Sequence, residues 1–325
     1  MADRLPPLRL ARRSVLLLLS AYLAVRVVAQ DCVPGPVALP ITNVTLSTGK
    51  VRRGIAVSVG SPVQKLALLP KWDNNNTFLY GRNCEDHDLA NTSAKCTTFR
   101  GGVYDPAVSE TRGPSDPGSG PDGLPPDLWD PRTYRPLVDT VRLDGNISMA
   151  KVPLASVLDF SRWDTEGYDP QNILGLDAGS TLVASLRRDG RIASDAVGFY
   201  WGLDGVGDQD QMAGSLVLGG YDKAKTYGNG IKLQMSAKKD CSTRMLVSLV
   251  DITLNFPNGT NVSLFPHQNG GDQLRACLMP ERPILMDMPL KSQFETLLAA
   301  VDNNEFGRST GIDFWSIVLN PERPM

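Results

Sequence analysis

Short apolar runs, each closed off by Gly, Pro, Asn or Asp, most limit how this chain can fold. "GIAVSVG" (Gly54–Gly60) alternates apolar and small or polar residues and stops at glycine. "KLALLP", "NTFLY", "LVDTVRL", "QNILGL", "AVGFYW", "GSLVLGG" and "MLVSLVDITL" share the pattern further along. Runs this short do not make stable helices, and their period is that of strands with a buried face. Many of them at close spacing predict a mostly β protein, a sandwich or a barrel. At 325 residues and 42% apolar content, the chain is long enough to enclose one large core or two lobes.

Two segments break the β pattern. "STLVASLRRDG" has Ser180 as an N-cap and stops at Gly190, which predicts a helix. In "LKSQFETLLAAV", Ser292 and Glu295 have capping-box spacing, and Phe294, Leu297, Leu298 and Val301 fall on one helical face. Residues 113–136, rich in Pro, Gly and Asp, read as a flexible surface loop or insertion. A lobe boundary is expected near Tyr227–Leu233, after the glycine-rich "GSLVLGGYDKAK".

The N-terminus has the layout of a secretory leader. Arg4, Arg9, Arg12 and Arg13 precede the apolar run Val15–Val25, and small residues come next at Val27–Ala29. The run is shorter than the roughly 20 apolar residues of a membrane span. Residues 1–29 are therefore expected to be a signal peptide, with an N-terminal segment over 30–50 after it. Without the leader's five arginines and one aspartate, 28 basic and 34 acidic residues remain, a net charge of −6. An acidic chain of this kind has no electrostatic attraction for nucleic acid or anionic lipid.

Export would make the five cysteines disulfide partners. Cys84 with Cys96 and Cys241 with Cys277 are the expected pairs, and Cys32 is left over. Six Asn-x-Ser/Thr sequons, at Asn43, Asn75, Asn91, Asn146, Asn258 and Asn261, are expected to be surface loops that carry glycans. No cofactor motif is present and no Cys/His spacing suggests a metal. His87 and His267 are the only histidines; no GxSxG frames a serine for them, and they read as surface-loop residues.

Several segments, in order, resemble one family. "RRGIAVSVGSPVQKLALL", "FRGGVYDPAVSET", "VDTVRLDGN", "QNILGLDAGSTLVASLRRDGRIASDAVGFYWG" and "GSLVLGGYDKAKTYGNGIKL" are similar to successive motifs of the pepsin-like aspartic peptidases, family A1, and more closely to a divergent fungal branch. The resemblance runs from Val51 to Leu233 and more weakly to Val301. It implies a mostly β, bilobal acid-protease fold, with an N-terminal lobe over 51–230 and a partial C-terminal lobe over 231–325. It also implies a polypeptide-binding cleft between the lobes. The family needs a longer stretch than Pro289–Met325 to finish its second lobe, so that lobe is expected to be incomplete. Related sequences continue into a membrane anchor, and none is visible here.

In the family each lobe donates one Asp from an Asp-Thr/Ser-Gly turn. Two carboxylates held together share one proton; the ionised one activates water and the protonated one polarises the peptide carbonyl. Aligned without gaps from Gln64, those turn positions fall on Lys71, Trp72 and Asp73. Aligned back from "MPLKS", the second turn falls on Pro280, Glu281 and Arg282, with Asp287 after Ile284, Leu285 and Met286. The flap signature is missing, and the proline-rich insertion holds its place. Asp73 and Asp287 are the candidates for a displaced dyad, but neither lobe keeps the turn that would aim it. Placement within about half an ångström is what catalysis demands. The resemblance thus implies an exported, catalytically inactive homologue that binds polypeptide. The alternatives are an active endopeptidase with a non-standard dyad and a structural surface glycoprotein.

Overall fold

In a computed structural model of the chain, the described residues are 33–81, 98, 100–115, 134–143, 146–157, 171–203, 211–265, 273–280, 286–289, 293–301, 308–310 and 315–317. The first ten strands are β1 (Val37–Thr45), β2 (Val51–Val59), β3 (Gln64–Lys71), β4 (Phe78–Tyr80), β5 (Gly113–Pro114), β6 (Tyr134–Leu143), β7 (Ile147–Val157), β8 (Ile173–Gly175), β9 (Val197–Tyr200) and β10 (Gly214–Leu218). All ten belong to one sheet, in the order β5-β6-β7-β4-β8-β3-β2-β1-β10-β9.

The sheet closes on itself through β2. Val51–Ile55 pair with β1, whereas Val57, Ser58 and Val59 pair with Leu143, Arg142 and Val141 of β6. Strands β2, β3, β8, β4, β7 and β6 therefore form a six-stranded barrel. The alternation in "GIAVSVG" is the local cause: Ile55, Val57 and Val59 are buried, as are their barrel partners Val141 and Leu143. β1, from the N-terminal segment 30–50, sits between β2 and β10 and adds Leu39 and Ile41 to the same core.

Helix α1 (Thr181–Arg188) starts where its cap predicts: Ser180 Oγ accepts from the Val183 amide. Its buried residues Leu182, Val183 and Leu186 complete the core. The proline-rich insertion is not loop throughout. At its ends Gly113 and Pro114 pair with Val138 and Leu137, and Tyr134–Pro136 belong to β6. Residues 116–133 lie outside the described set.

Two polar rivets fix the barrel. Gln171 Nε2 donates to the Arg53 and Ala67 carbonyls, while Asn172 Nδ2 donates to those of Gly101 and Gly102. Asn172 Oδ1 accepts from the Tyr80 amide at 2.7 Å, so these two residues set β8 between β3 and β4. The second rivet is Asp139, 0% exposed. It accepts from Tyr104 Oη at 2.6 Å, Thr111 Oγ1 at 2.5 Å and the Thr140 amide at 2.7 Å. A buried carboxylate with three donors is compensated, and it ties residues 104–111 to β6. Burial, and then the bond to Asp139, push the Tyr104 phenol far above its ordinary range.

Beyond Leu218 the described residues hold a 3-10 turn at Lys223–Lys225, two-stranded ribbons and one α-helix. Strand β11 (Leu246–Leu249) pairs with β14 (Leu274–Cys277), and between them β12 (Thr253–Asn255) pairs with β13 (Asn261–Ser263). Strand β15 (Arg308–Thr310) pairs with β16 (Trp315–Ile317). Helix α2 (Glu295–Val301) begins later than the capping box predicts, after a wider turn at Gln293–Phe294. Phe294 and Leu298 are buried as expected; Ser292 lies outside the described residues. Among the described elements there is one barrel and no second one. No helix among them is long and apolar enough to cross a membrane.

Candidate functional site

Residues Lys71–Asp73, which the resemblance leads one to expect at a catalytic turn, leave the barrel at the end of β3. Leu69, Pro70 and Lys71 run parallel to Ile173, Leu174 and Gly175 of β8, and Phe78 of β4 pairs with Ile173 from the other side. Residues 72–77 must therefore pass around the end of β8. The loop is sewn to the segment between β8 and α1: Leu176 donates to the Lys71 carbonyl, Asp177 to that of Asn74, and Thr181 to that of Asn75, at 2.8–3.0 Å.

The three asparagines of "KWDNNNT" serve this path. Asn74 Oδ1 accepts from the Asn76 amide two residues on, an Asx turn. Asn75 Oδ1 accepts from Asn76 Nδ2 inside the protein. The Asn76 backbone passes so close to Gly175 that a β-carbon there would lie 2.2 Å from the Asn76 carbonyl oxygen. Glycine is required at 175 by this approach. Ser180 closes the turn, donating from Oγ to the Gly175 carbonyl at 2.6 Å.

The side chains are paired by charge. Lys71 Nζ lies 3.4 Å from Asp73 Oδ1, and both are only partly exposed. Lys238, from the stretch before β11, reaches into the same loop. Its Nζ donates to the Asp73 carbonyl at 2.6 Å and to Asp177 Oδ2 at 2.9 Å, where the Asp177 side chain is 8% exposed. Each of the two carboxylates thus faces an ammonium. Trp72 turns away from this cluster and packs edge-on against Phe199, centroids 4.7 Å apart, with Trp201 beyond. Trp72 is therefore an aromatic anchor.

The second set of candidates lies in the stretch after β14. Pro280 sits in a turn beyond β14, and Asp287 is exposed in the extended segment 286–289 before α2. The partner of the Asp73 carboxylate is the Lys71 ammonium. Glu281 and Arg282 lie outside the described residues, as do His87, His267, Cys32, Cys84, Cys96 and Asn91. Cys241 and Cys277 form a disulfide, as expected. It is buttressed by buried Thr243, whose Oγ1 donates to the Leu278 carbonyl at 2.6 Å.

The sequons divide. Asn43 on β1, Asn146 between β6 and β7, Asn258 in the β12–β13 turn and Asn261 at the start of β13 are exposed. Asn75 is not: it is 2% exposed and Thr77 is 3% exposed. The expectation of a surface position fails there, because Asn75 and Asn76 pack inward and bond to each other side chain to side chain. Lys238 and Asp177 were not legible as site residues, since partners 61 positions apart carry no spacing signal.

Among the described residues no group of three or more His, Cys, Asp or Glu side chains is placed to hold a metal. A cation at Asp73 or Asp177 would have to displace a lysine. No protein-family model matches the chain, and no curated protein is significantly similar to it.

Proposed function

We propose that this chain is an exported, non-catalytic homologue of the pepsin-like aspartic peptidases. Its barrel corresponds to the first lobe, and the stretch after residue 230 to part of a second. The observation that carries the reading is the Lys71–Asp73 ion pair at the position of the catalytic turn. A water-activating dyad needs two carboxyl groups against each other with one proton between them. Asp73 is set against the Lys71 ammonium instead. What remains is a scaffold for binding polypeptide, by the same resemblance.

The test is digestion of a denatured protein by the purified full chain at acid pH, with and without pepstatin. No cleavage is expected. Pepstatin-sensitive cleavage that disappears in Asp73→Ala or Asp287→Ala would instead establish an active enzyme with a displaced dyad. A structural surface glycoprotein is the second reading, favoured by Lys238 entering the loop and filling it. Absence of any polypeptide binding by the full chain selects this reading over the first.

A further inference from the structure

We propose that Asn229 is a site of spontaneous deamidation, and that the fold protects the similar Asn258. Each precedes a glycine, and both pairs are exposed. They differ in what their backbone does. Asn229 lies in the stretch between β10 and β11, where Tyr227 is 102% and Ile231 88% exposed. Gly228 and Asn229 form a turn, but from Tyr227 to Met235 no well-formed backbone or side-chain hydrogen bond to a described residue is made; the next is Ser236 donating to the Arg244 carbonyl.

The chemistry is an intramolecular displacement. The Gly230 nitrogen gives up its proton and attacks Cγ of Asn229. A C–N bond forms, the side-chain nitrogen leaves as ammonia, and the product is a cyclic imide. Water then opens either carbonyl, giving aspartate or isoaspartate. The net change is water consumed and ammonia released, with no oxidant or reductant. The reaction needs an adjoining amide that is not engaged, a side chain free to turn onto it, and no bulk on the next residue. Asn229 meets the last two, and its Gly230 amide sits in a turn that no well-formed hydrogen bond closes.

Asn258 meets only the last. The Gly259 amide donates to the Phe256 carbonyl at 2.9 Å. Asn258 Oδ1 accepts from both the Thr260 amide at 2.9 Å and Thr260 Oγ1 at 2.7 Å. These bonds hold nucleophile and electrophile apart and must break first. Deamidation at Asn229 adds a negative charge between Lys225 and Lys232. In the isoaspartate product it also adds a methylene to the backbone leading to Lys238.

The experiment incubates the purified full chain at mildly alkaline pH and tracks both peptides by mass. Isoaspartate is read with a protein isoaspartyl methyltransferase. The Asn229 peptide is expected to convert at least about tenfold faster than the Asn258 peptide, since breaking one or more hydrogen bonds costs on that order. In urea the two rates should converge, and Asn229→Gln should lose the methyl-accepting signal of that peptide. Equal rates in the folded chain overturn the proposal, and so does a rate difference that persists unchanged in urea.

Discussion

Gly175 and Tyr104 show how single residues decide the local structure. A methyl at Gly175 would meet the Asn76 backbone, with its carbonyl oxygen at 2.2 Å and its nitrogen at 2.5 Å, and neither can move aside as a side-chain tip could. Gly175→Ala is expected to cost about 3 kcal/mol or more, by overpacking against backbone, read as a lowered urea midpoint. An unchanged midpoint would mean the loop does not pass there. Tyr104 gives a pH test. Its phenol is held neutral by burial and by the bond to Asp139, so its folded pKa is raised. Above pH ~10 the unfolded chain loses this proton while the folded chain keeps it, so the stabilisation is complete below ~10 and declines as pH rises beyond it. Tyr104→Phe should cost about 2 kcal/mol at neutral pH by removing a donor from buried Asp139. The gap to the unaltered chain should narrow above pH ~10. A gap that widens there contradicts the assignment.

Elements are joined by contacts that sequence spacing does not announce. Lys238 brings the stretch before β11 against the loop after β3 through two hydrogen bonds, one to a largely buried carboxylate. Lys238→Ala should cost about 1–2 kcal/mol, discounted for its partial exposure. It should also raise hydrogen exchange at the Asp177 and Thr181 amides and leave the barrel strands unaffected. Unaltered exchange at those amides would show that the lysine does not tie the loop. The Cys241–Cys277 bridge spans 36 positions. Its loss in a Cys277→Ser variant removes about 4 kcal/mol of loop-closure constraint in the chain-entropy account. The β11–β14 ribbon should open first, seen as early exchange at Val247 and Leu249. Exchange at those amides matching that of the intact bridge would refute this.

Over the whole molecule, "GIAVSVG" and "LVDTVRL" were legible because a single buried face imposes a period of two, and "KLALLP", "QNILGL" and "GSLVLGG", buried on both faces, because short apolar runs end at turn residues. β7 was not. Its burial alternation breaks at Ala150 and Lys151, where Lys151 has φ of 54°, and Pro153 interrupts the run. β1 also escaped notice, with Pro40 inside it, although its burial pattern alternates. The surface itself is testable. Folded protein made in a eukaryotic secretory cell should carry no glycan at Asn75, whereas Asn43, Asn146 and Asn258 are open to the solvent. Glycopeptide mapping that finds Asn75 occupied in natively folded material would overturn the buried loop.

By itself the sequence determined that the chain is mostly β, that α1 begins at Ser180, and that Asp73 lacks the glycine turn of a catalytic aspartate. Those are local facts, written in periodicity, caps and neighbouring residues. Only the tertiary structure decided that the strands close into a barrel through a divided β2. It alone turned Trp72 toward Phe199 and set Lys71 and Lys238 against the carboxylates of Asp73 and Asp177. Long-range pairing depends on how strand ends and loops meet in space, and no spacing along the chain encodes which lysine reaches which aspartate.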